Sequence, residues 1–383
     1  METRIITTYD EFLRLRDPWG ELHAQVKGSL FQVHHWLAHW WRYYGEKRSL
    51  SILTFWKDGL LVGAIPGCKE VKRLGPVSFN RYSLLGEEEA YGEYAPLVEA
   101  GSIQDVVPLA VSLFARDLQS GGLDAIDFHG FSPDLEFMTA FAGSLGARVH
   151  VRHVRQSQPH SVVEGAASGE MYLKMMSSRR RHTLRRQERL LSEAGAEIEV
   201  VNGWDGGKPF EDLVRLHTAR WARDGQPGRF GSRRFAQFLR DVTEVLMPLG
   251  QARIYFTRFG TERISGLLVF DVQRQNYQYL VGRDPSHKLM RYSVGEVLAM
   301  RATMDAFDEG SIVCDMMGGD YHHKHYTGMT KRWYSRLTAV APGWKGAKGH
   351  LYCGALTTRD KMGRISQVLN HARSDTTRES RAA

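Results

Sequence analysis

The residues best able to do chemistry in this chain of 383 residues lie between Tyr277 and Lys324. The stretch runs Tyr277-Gln-Tyr-Leu-Val-Gly-Arg-Asp-Pro285, then a short polar loop and Arg291-Tyr-Ser-Val-Gly295. A helical segment to about Phe307, an apolar strand and Asp315-Met-Met-Gly-Gly-Asp-Tyr-His-His-Lys324 follow. A strand that breaks at Gly282, a loop, and a helix opened by Ser293 and Gly295 together form a geometry suited to receiving phosphate. The reason is that the first turn of a helix leaves its backbone N–H groups unpaired. The spacing therefore points to a coenzyme carrying a pyrophosphate.

Three motifs in this order, Tyr279-x-x-Gly-x-Asp-Pro285, the Ser293-x-Gly295 helix opening and Asp315-x-x-Gly-Gly-x-Tyr321-x-x-Lys324, carry a family resemblance. The chain resembles the BioF2-like, cellulose-biosynthesis-associated acetyltransferases of the GNAT superfamily, which are similar to the Fem-type peptidoglycan aminoacyltransferases with two GNAT-like halves. The agreement extends to Met171-Tyr-Leu with Arg179-Arg-Arg and to Leu216-His-Thr-Ala-Arg-Trp221.

The resemblance implies an α/β (α+β) fold of two tandem GNAT-like domains, each a mixed central sheet flanked by helices. It implies acetyl-CoA or another acyl-CoA as co-substrate, its pantetheine lying along a splayed strand. The backbone of Leu280, Val281 and Gly282 would then face the thioester, with Arg283 adding charge at the pyrophosphate. Arg291, Tyr292, Ser293, Val294 and Gly295 would hold the pyrophosphate. The usual cradle is a basic residue followed by Gly-x-Gly or Gly-x-Ala, whereas here one glycine remains, Gly295.

Asp315, Tyr321, Lys324 and His217 are the catalytic candidates; Arg220, Trp221, Tyr279 and Asp284 are candidates for holding the acceptor. Asp315 at a strand end serves equally as a base or as a cap on the following turn. Lys324 can neutralise a phosphate or carboxylate, or be a loop lysine. No nucleophile elbow or His-Glu-x-x-His pattern occurs, which favours direct transfer over a covalent acyl-enzyme. His34, His35 and His39 do not share a face at ligand spacing, and His322, His323 and His325 lack a partner Cys or carboxylate, so no metal is expected.

These residues need elements to position them. Phe31 to Tyr44 places aromatic groups at intervals of three and four, as a packed core helix requires. Leu50–Trp56 and Leu60–Pro66, joined by Lys57-Asp58-Gly59, read as a hairpin. A helix over Ile103–Gln119 ends at Gly121-Gly122, and a strand leads to Asp127-Phe-His-Gly130. The second half repeats this order: strands over Ala252–Arg258 and Ile264–Val272, with Gly266 matching Gly63, a helix over Val294–Phe307, and a strand reaching Asp315. Domains are expected over 1–158 (a degenerate first unit) and 170–345 (the catalytic unit), with Pro159–Gly169 as the boundary. A tail over 346–383, with a helix around Lys361–His371, is expected to be partly disordered. Met171–Ala194 reads as one long helix with an arginine-rich face, either solvated or phosphate-binding. Gly225–Ser232 reads as a loop that covers a pocket or merely connects.

Composition bounds the remainder. With 42% hydrophobic and 11% aromatic residues the chain can bury sizeable cores, as two domains of its length would. A net charge of +8 favours anionic partners, whether nucleotide, nucleic acid or anionic membrane surface. Three cysteines without paired spacing, and no signal peptide or long apolar run, lead to the expectation of a cytoplasmic protein with reduced thiols. The expected activity is acyl transfer to a sugar, a glycan precursor of polysaccharide biosynthesis, or a small amine. The alternative is a Fem-type transferase using aminoacyl-tRNA, favoured by the arginine-rich stretch and the depleted cradle. The long helical arm common in those enzymes is not visible in this sequence.

Overall fold

The computed structural model describes residues 1–87, 90, 92, 95–155, 159–318 and 329–356. The chain opens with β1 (Glu2–Ile6), α1 (Tyr9–Arg14), α2 (Arg16–Gln25) and α3 (His34–Tyr44). Then come β2 (Arg48–Leu50), β3 (Ile52–Lys57), β4 (Leu60–Ile65), β5 (Gly67–Leu74), β6 (Val77–Leu84) and β7 (Leu97–Val98). The first half ends with α4 (Ile103–Ser120), β8 (Ala125–Phe131), α5 (Glu136–Gly146) and β9 (His150–Arg155). The second half holds β10 (His160–Glu164), α6 (Gly169–Met175), α7 (Ser178–Glu193), β11 (Ala196–Val201), α8 (Lys208–Ala222) and α9 (Arg233–Leu246). It continues with β12 (Ala252–Phe259), β13 (Glu262–Val272), β14 (Gln275–Arg283), α10 (Val294–Asp308), β15 (Val313–Gly318), β16 (Thr330–Arg332) and β17 (Ser335–Val340).

These strands form three sheets, ordered β1-β3-β4-β7, β2-β5-β6-β8-β17-β9 and β11-β12-β13-β14-β15-β10-β16. The repeat read from the sequence is present in three dimensions. Gly63 pairs with Phe55 and Gly266 with Phe256, and a side chain at either glycine would run into that phenylalanine ring. In both halves a long helix, α4 or α10, leads into a strand that pairs in parallel and carries an aspartate at the last rung. Ser83 opposes Asp127 on β6 and β8, and Tyr277 opposes Asp315 on β14 and β15.

The halves differ in what stands beside that aspartate. In the second half β15 pairs with β14, the strand just before the connecting helix. In the first half the corresponding strand, β7, pairs only with β4, and β8 pairs instead with β6. The hairpin β5–β6 therefore occupies the place beside β8. One strand also crosses between the halves: β17, from the end of the second half, lies between β8 and β9 in the sheet of the first, while β10 lies between β15 and β16.

Aromatic packing joins the two halves. Trp36 on α3 meets Phe238, Phe270 and Tyr279 edge to face at 5.1, 5.7 and 5.4 Å, and Phe31 meets Tyr277 at 5.6 Å. Tyr43 donates to Asp241 at 2.5 Å from the rim of this core. The arginine-rich stretch is not one helix: Met176 is extended, and the Ser177 hydroxyl accepts from Arg180 N–H at 3.3 Å to start α7 afresh. A serine that caps a new helix ends the old one, which apolar spacing alone does not reveal. Among the described residues no helix is long and apolar enough to cross a membrane.

A buried charge network closes the first half. Arg81 pairs with Glu70, with Glu87 at 2.7 Å and with Asp127 at 2.6 Å. Arg336 on β17 clamps both oxygens of Asp127, and the Tyr352 hydroxyl donates to Asp127 at 2.6 Å. Burial by itself would raise the Glu87 carboxyl, but the Arg81 guanidinium and then His129 outweigh it and hold it at about 2. Asp127 is likewise held far below the usual carboxylate range despite burial, by Arg336 and Arg81. Asp127→Ala takes from the buried Arg336 guanidinium the carboxylate it clamps, while Arg81 keeps Glu70 and Glu87, and should cost about 3–5 kcal/mol in denaturant unfolding. Both folded-state values are depressed, so this stabilisation is complete above the ordinary carboxylate range. For Glu87 it should fade from about pH 4.5 down to about 2, read as a falling unfolding midpoint.

Candidate active site

β14 has one complete neighbour and one that leaves it. It pairs with β13 from Val272↔Gln275 to Ser265↔Arg283, with an irregularity between Leu268 and Val269 that leaves Tyr279 as the extra residue. To β15 it pairs only through Gln275↔Val313, Asn276↔Cys314 and Tyr277↔Asp315. The strand thus continues through Arg283, and the expected break at Gly282 is corrected: the break is in the pairing to β15, after Tyr277. Asp284 N–H donates to Ile264 C=O at 2.9 Å. By alternation, Leu280 and Gly282 also turn their main-chain groups to β13, and Val281 and Arg283 turn theirs into the slot beside β15.

A bulge at the mouth of such a slot has a use, since it redirects the strand and ends its pairing. Tyr279 is wedged against Phe31, Trp36 and Phe270, and its hydroxyl donates to Ala90 C=O at 2.7 Å. The first half thereby braces the splayed strand.

α8 crosses the free end of β14 at short range. A Cβ on Gly282 would lie 2.4 Å from the backbone nitrogen of His217 and 2.8 Å from the Leu216 carbonyl carbon. Only glycine lets this helix pass so close. His217 then reaches the strand: Nδ1 donates to Val281 C=O at 2.8 Å, and Nε2 accepts from Arg229 N–H at 3.3 Å. Both ring nitrogens are committed in the neutral form. Burial lowers the imidazole to about 4, against a smaller upward pull from the Val281 carbonyl. Gly228, at φ +63°, folds the following loop back against Trp221, and Phe230 packs on the His217 ring at 5.1 Å.

Beyond the slot lies the start of α10. Ser293 takes the left-handed conformation at φ +52° and makes no side-chain cap, so the first turn of the helix keeps free N–H groups. Around Gly295 there is open space for a group of atomic size. Arg180 reaches Glu296 at 2.9 Å on that first turn. Arg283 is half-buried and, among the described residues, has no carboxylate at ion-pair distance. Burial, then the charges of Arg220 and Arg223, pulls it below the ordinary guanidinium range, with Asp224 and Glu296 offsetting part of this. A half-buried arginine with two further arginines near it is a site that gains from an anion.

Asp315 stands at the vertex, on the last rung. One oxygen accepts from Met317 N–H at 2.6 Å, which holds Met317 at φ +62° and turns the chain away from β14. The other meets His160 Nδ1 at 2.9 Å. His160 comes from β10, which sits on the far side of β15, and its ring lies against Tyr334 at 4.6 Å.

The remaining sequence candidates are placed as follows. Leu280 and Val294 are buried in apolar clusters, and Val281 is exposed. Arg291 stacks on Tyr292 at 4.8 Å. Asp284 accepts from Ser286 N–H and hydroxyl at 2.9 and 2.6 Å and shapes the loop. Arg220 pairs with Asp224 one turn along α8. Tyr321 and Lys324, with His322, His323 and His325, lie outside the described residues, as does Lys361–His371. Reading by sequence did not find His160 or Arg223. His160 lies in a stretch whose Ser, Gly and Ala content reads as a linker, and only its pairing with β15 brings it to Asp315.

The comparisons fit this geometry. Residues 178–325 match the model of the acetyltransferase (GNAT) domain. No curated protein matches the chain. Among solved structures it is similar to FemX, at 12% identity and a TM-score of 0.59, with 88% of this chain and 97% of that one covered. It is also similar to the C-terminal domain of a putative lysylphosphatidylglycerol synthetase from Agrobacterium fabrum, at 10% identity, TM-score 0.52, and 91% and 97% coverage. The L-PGS of Bacillus licheniformis gives 12% identity, 0.52, and 91% and 96%. At these identities the likeness is one of fold. The domain match places a GNAT acetyltransferase domain over residues 178–325 and supports an acyltransferase, within a mixed α/β fold shared along most of the chain with these structures.

Two measurements check the strand end. Gly282→Ala must push α8 away and should lower stability by about 1–3 kcal/mol in thermal or denaturant unfolding. The His217 value is lowered on folding, so its contribution is complete above about pH 6.5 and is lost as pH falls toward about 4. In His217→Phe, which keeps the ring but neither hydrogen bond, that part of the pH dependence of stability should disappear.

Proposed function

We propose that this chain transfers an acyl group from an acyl-CoA thioester directly to an amine or hydroxyl acceptor in the slot between β14 and β15. The observation that carries this reading is the loss of pairing after Tyr277, with the Val281 N–H and the main-chain groups of Arg283 left facing a narrow opening while His217 holds the Val281 carbonyl. A slender thioester arm can hydrogen-bond to such an edge as a missing strand would. The free amides at Val294 and Gly295, with Arg283, Arg220 and Arg223, then take the carrier's phosphates. Leu280 and Tyr279 shape the strand, and His217 acts as a brace rather than as a base.

On this reading the second unit, about residues 170–345, is catalytic. The first, about 1–158, is degenerate, because its own hairpin β5–β6 fills the place beside β8 and the arginines seal Asp127. The resemblance to BioF2-like enzymes favours a saccharide acceptor of exopolysaccharide or envelope assembly. Tyr321 and Lys324 stay candidates for holding that acceptor.

One observation favours a second reading, transfer from an aminoacyl-tRNA. The fold is similar to that of FemX, and α7 carries Arg179 and Arg186 exposed with no carboxylate partner among the described residues. Phosphate contacts of this kind make affinity fall steeply with salt.

Isothermal titration with acetyl-CoA and longer acyl-CoAs should give binding that weakens at least ten-fold in Arg283→Gln. Absence of heat and of thermal shift with every acyl-CoA would sink the first reading. A salt-sensitive gel shift with charged tRNA, together with that absence, would establish the second.

A further inference from the structure

The pair His160–Asp315 has the form of a proton-transfer device. His160 is more than nine-tenths buried, with 7% of its surface exposed, and Asp315 retains 2%. They come from strands 155 residues apart in sequence, brought together because β10, the first strand of the second half, pairs with β15. Asp315 occupies the last rung at which β14 and β15 touch, so the pair sits at the vertex of the slot.

The hydrogen bonds fix the state of the ring. Asp315 accepts from Met317 N–H on one oxygen, which leaves the other as the acceptor for His160 Nδ1. An ionised carboxylate there places the neutral imidazole's proton on Nδ1 and its lone pair on Nε2. Tyr334 holds the ring edge to face, and Gly318, opposite His160 in the ladder, puts no side chain against Nε2, where a methyl would lie 3.6 Å from that nitrogen. Nε2 has no hydrogen-bond partner among the described residues, yet it is not one of the fully enclosed polar atoms. A buried imidazole with one nitrogen anchored to a carboxylate and the other open is oriented for work on a proton.

We infer that His160 Nε2 accepts the proton of the incoming acceptor, with Asp315 as the positioning residue that sets its tautomer. This rests on the acyl-transfer reading above. The acceptor's N–H or O–H proton passes to Nε2 while its lone pair forms the bond to the acyl carbon. The carbon–sulfur bond breaks, and its electron pair leaves with the carrier. The imidazolium then returns the proton to that sulfur, and the ring is neutral again.

Two tests separate this inference from the reading beneath it. Carbethoxylation by diethyl pyrocarbonate, read by peptide mass spectrometry, needs no acceptor and no donor. His160 should be modified in the wild-type protein, and at least ten-fold more slowly in Asp315→Asn, whose amide N–H turns the Nδ1 lone pair toward itself and moves the proton to Nε2. An unmodified His160, or equal rates in the two proteins, overturns the inference even if acetyl-CoA binds. In the second test, acetyl-CoA and glucosamine serve as donor and acceptor probes, with thiol release as the signal. His160→Ala and His160→Gln should lower kcat about 10²–10⁴-fold while calorimetric binding of acetyl-CoA is unchanged. Imidazole in the buffer should restore part of the rate in the alanine variant, which leaves room for it, and none in the glutamine variant. Unchanged kcat in both variants, or a loss confined to KM, overturns the inference. Failure of the wild-type protein to bind any acyl-CoA instead removes the donor reading and leaves the carbethoxylation result to stand by itself.

Discussion

The controlling constraint is a strand edge that the sheet does not complete. Main-chain N–H and C=O groups deprived of partners are costly when water is excluded, so a fold that opens its own sheet must satisfy or use what it exposes. Here β14 keeps its full ladder to β13 and gives up β15 after three rungs. Everything around it serves that one departure. The bulge at Tyr279 turns the strand, Asp315 turns its neighbour, α8 lies across the end, and the His217 ring takes up the carbonyl of Val281. What is left unsatisfied on the edge is what a ligand can take.

The two halves resolve the same problem oppositely. In each, an aspartate stands at the last parallel rung. Asp127 is met by two guanidinium groups and a tyrosine hydroxyl, and the place beside it is filled by the hairpin β5–β6. Asp315 is met, among the described residues, by one imidazole and one amide. Charge saturation makes the first a structural joint. The lighter dressing of the second leaves a buried carboxylate–imidazole pair, and among the described residues Asp315 has no guanidinium partner to match Arg81 and Arg336.

Much of this was legible from residue types. Gly63 and Gly266, each set before a phenylalanine of the paired strand, marked the duplicated hairpins, and the aromatic spacing of Phe31–Tyr44 marked a helix buried on one face. The helix opening at Ser293 was legible because unpaired N–H groups are a property of any such start. The origin of the slot was not, since a glycine looks like a strand breaker and Gly282 in fact permits a helix to approach. His160 was hidden for a different reason. Its partner is 155 residues away, and polar small residues around it look like a connector until strand pairing is known. The role of His217 also needed coordinates, because its neighbour at Trp221 gives the helix face but not the carbonyl it reaches.

The placement of β17 in the sheet of the first half has a bearing on how the molecule is made. During synthesis the sheet of the first half has a vacancy between β8 and β9 until residues 335–340 leave the ribosome. The nascent chain must therefore hold two facing, unpaired edges through most of its production, with Asp127 waiting for Arg336. The sheet of the first half cannot close before the second half has been made. Contacts across so long a stretch of chain are slow to form and leave edges exposed to other chains meanwhile. A protein with this architecture gains its joint between halves at the expense of maturing late and all at once.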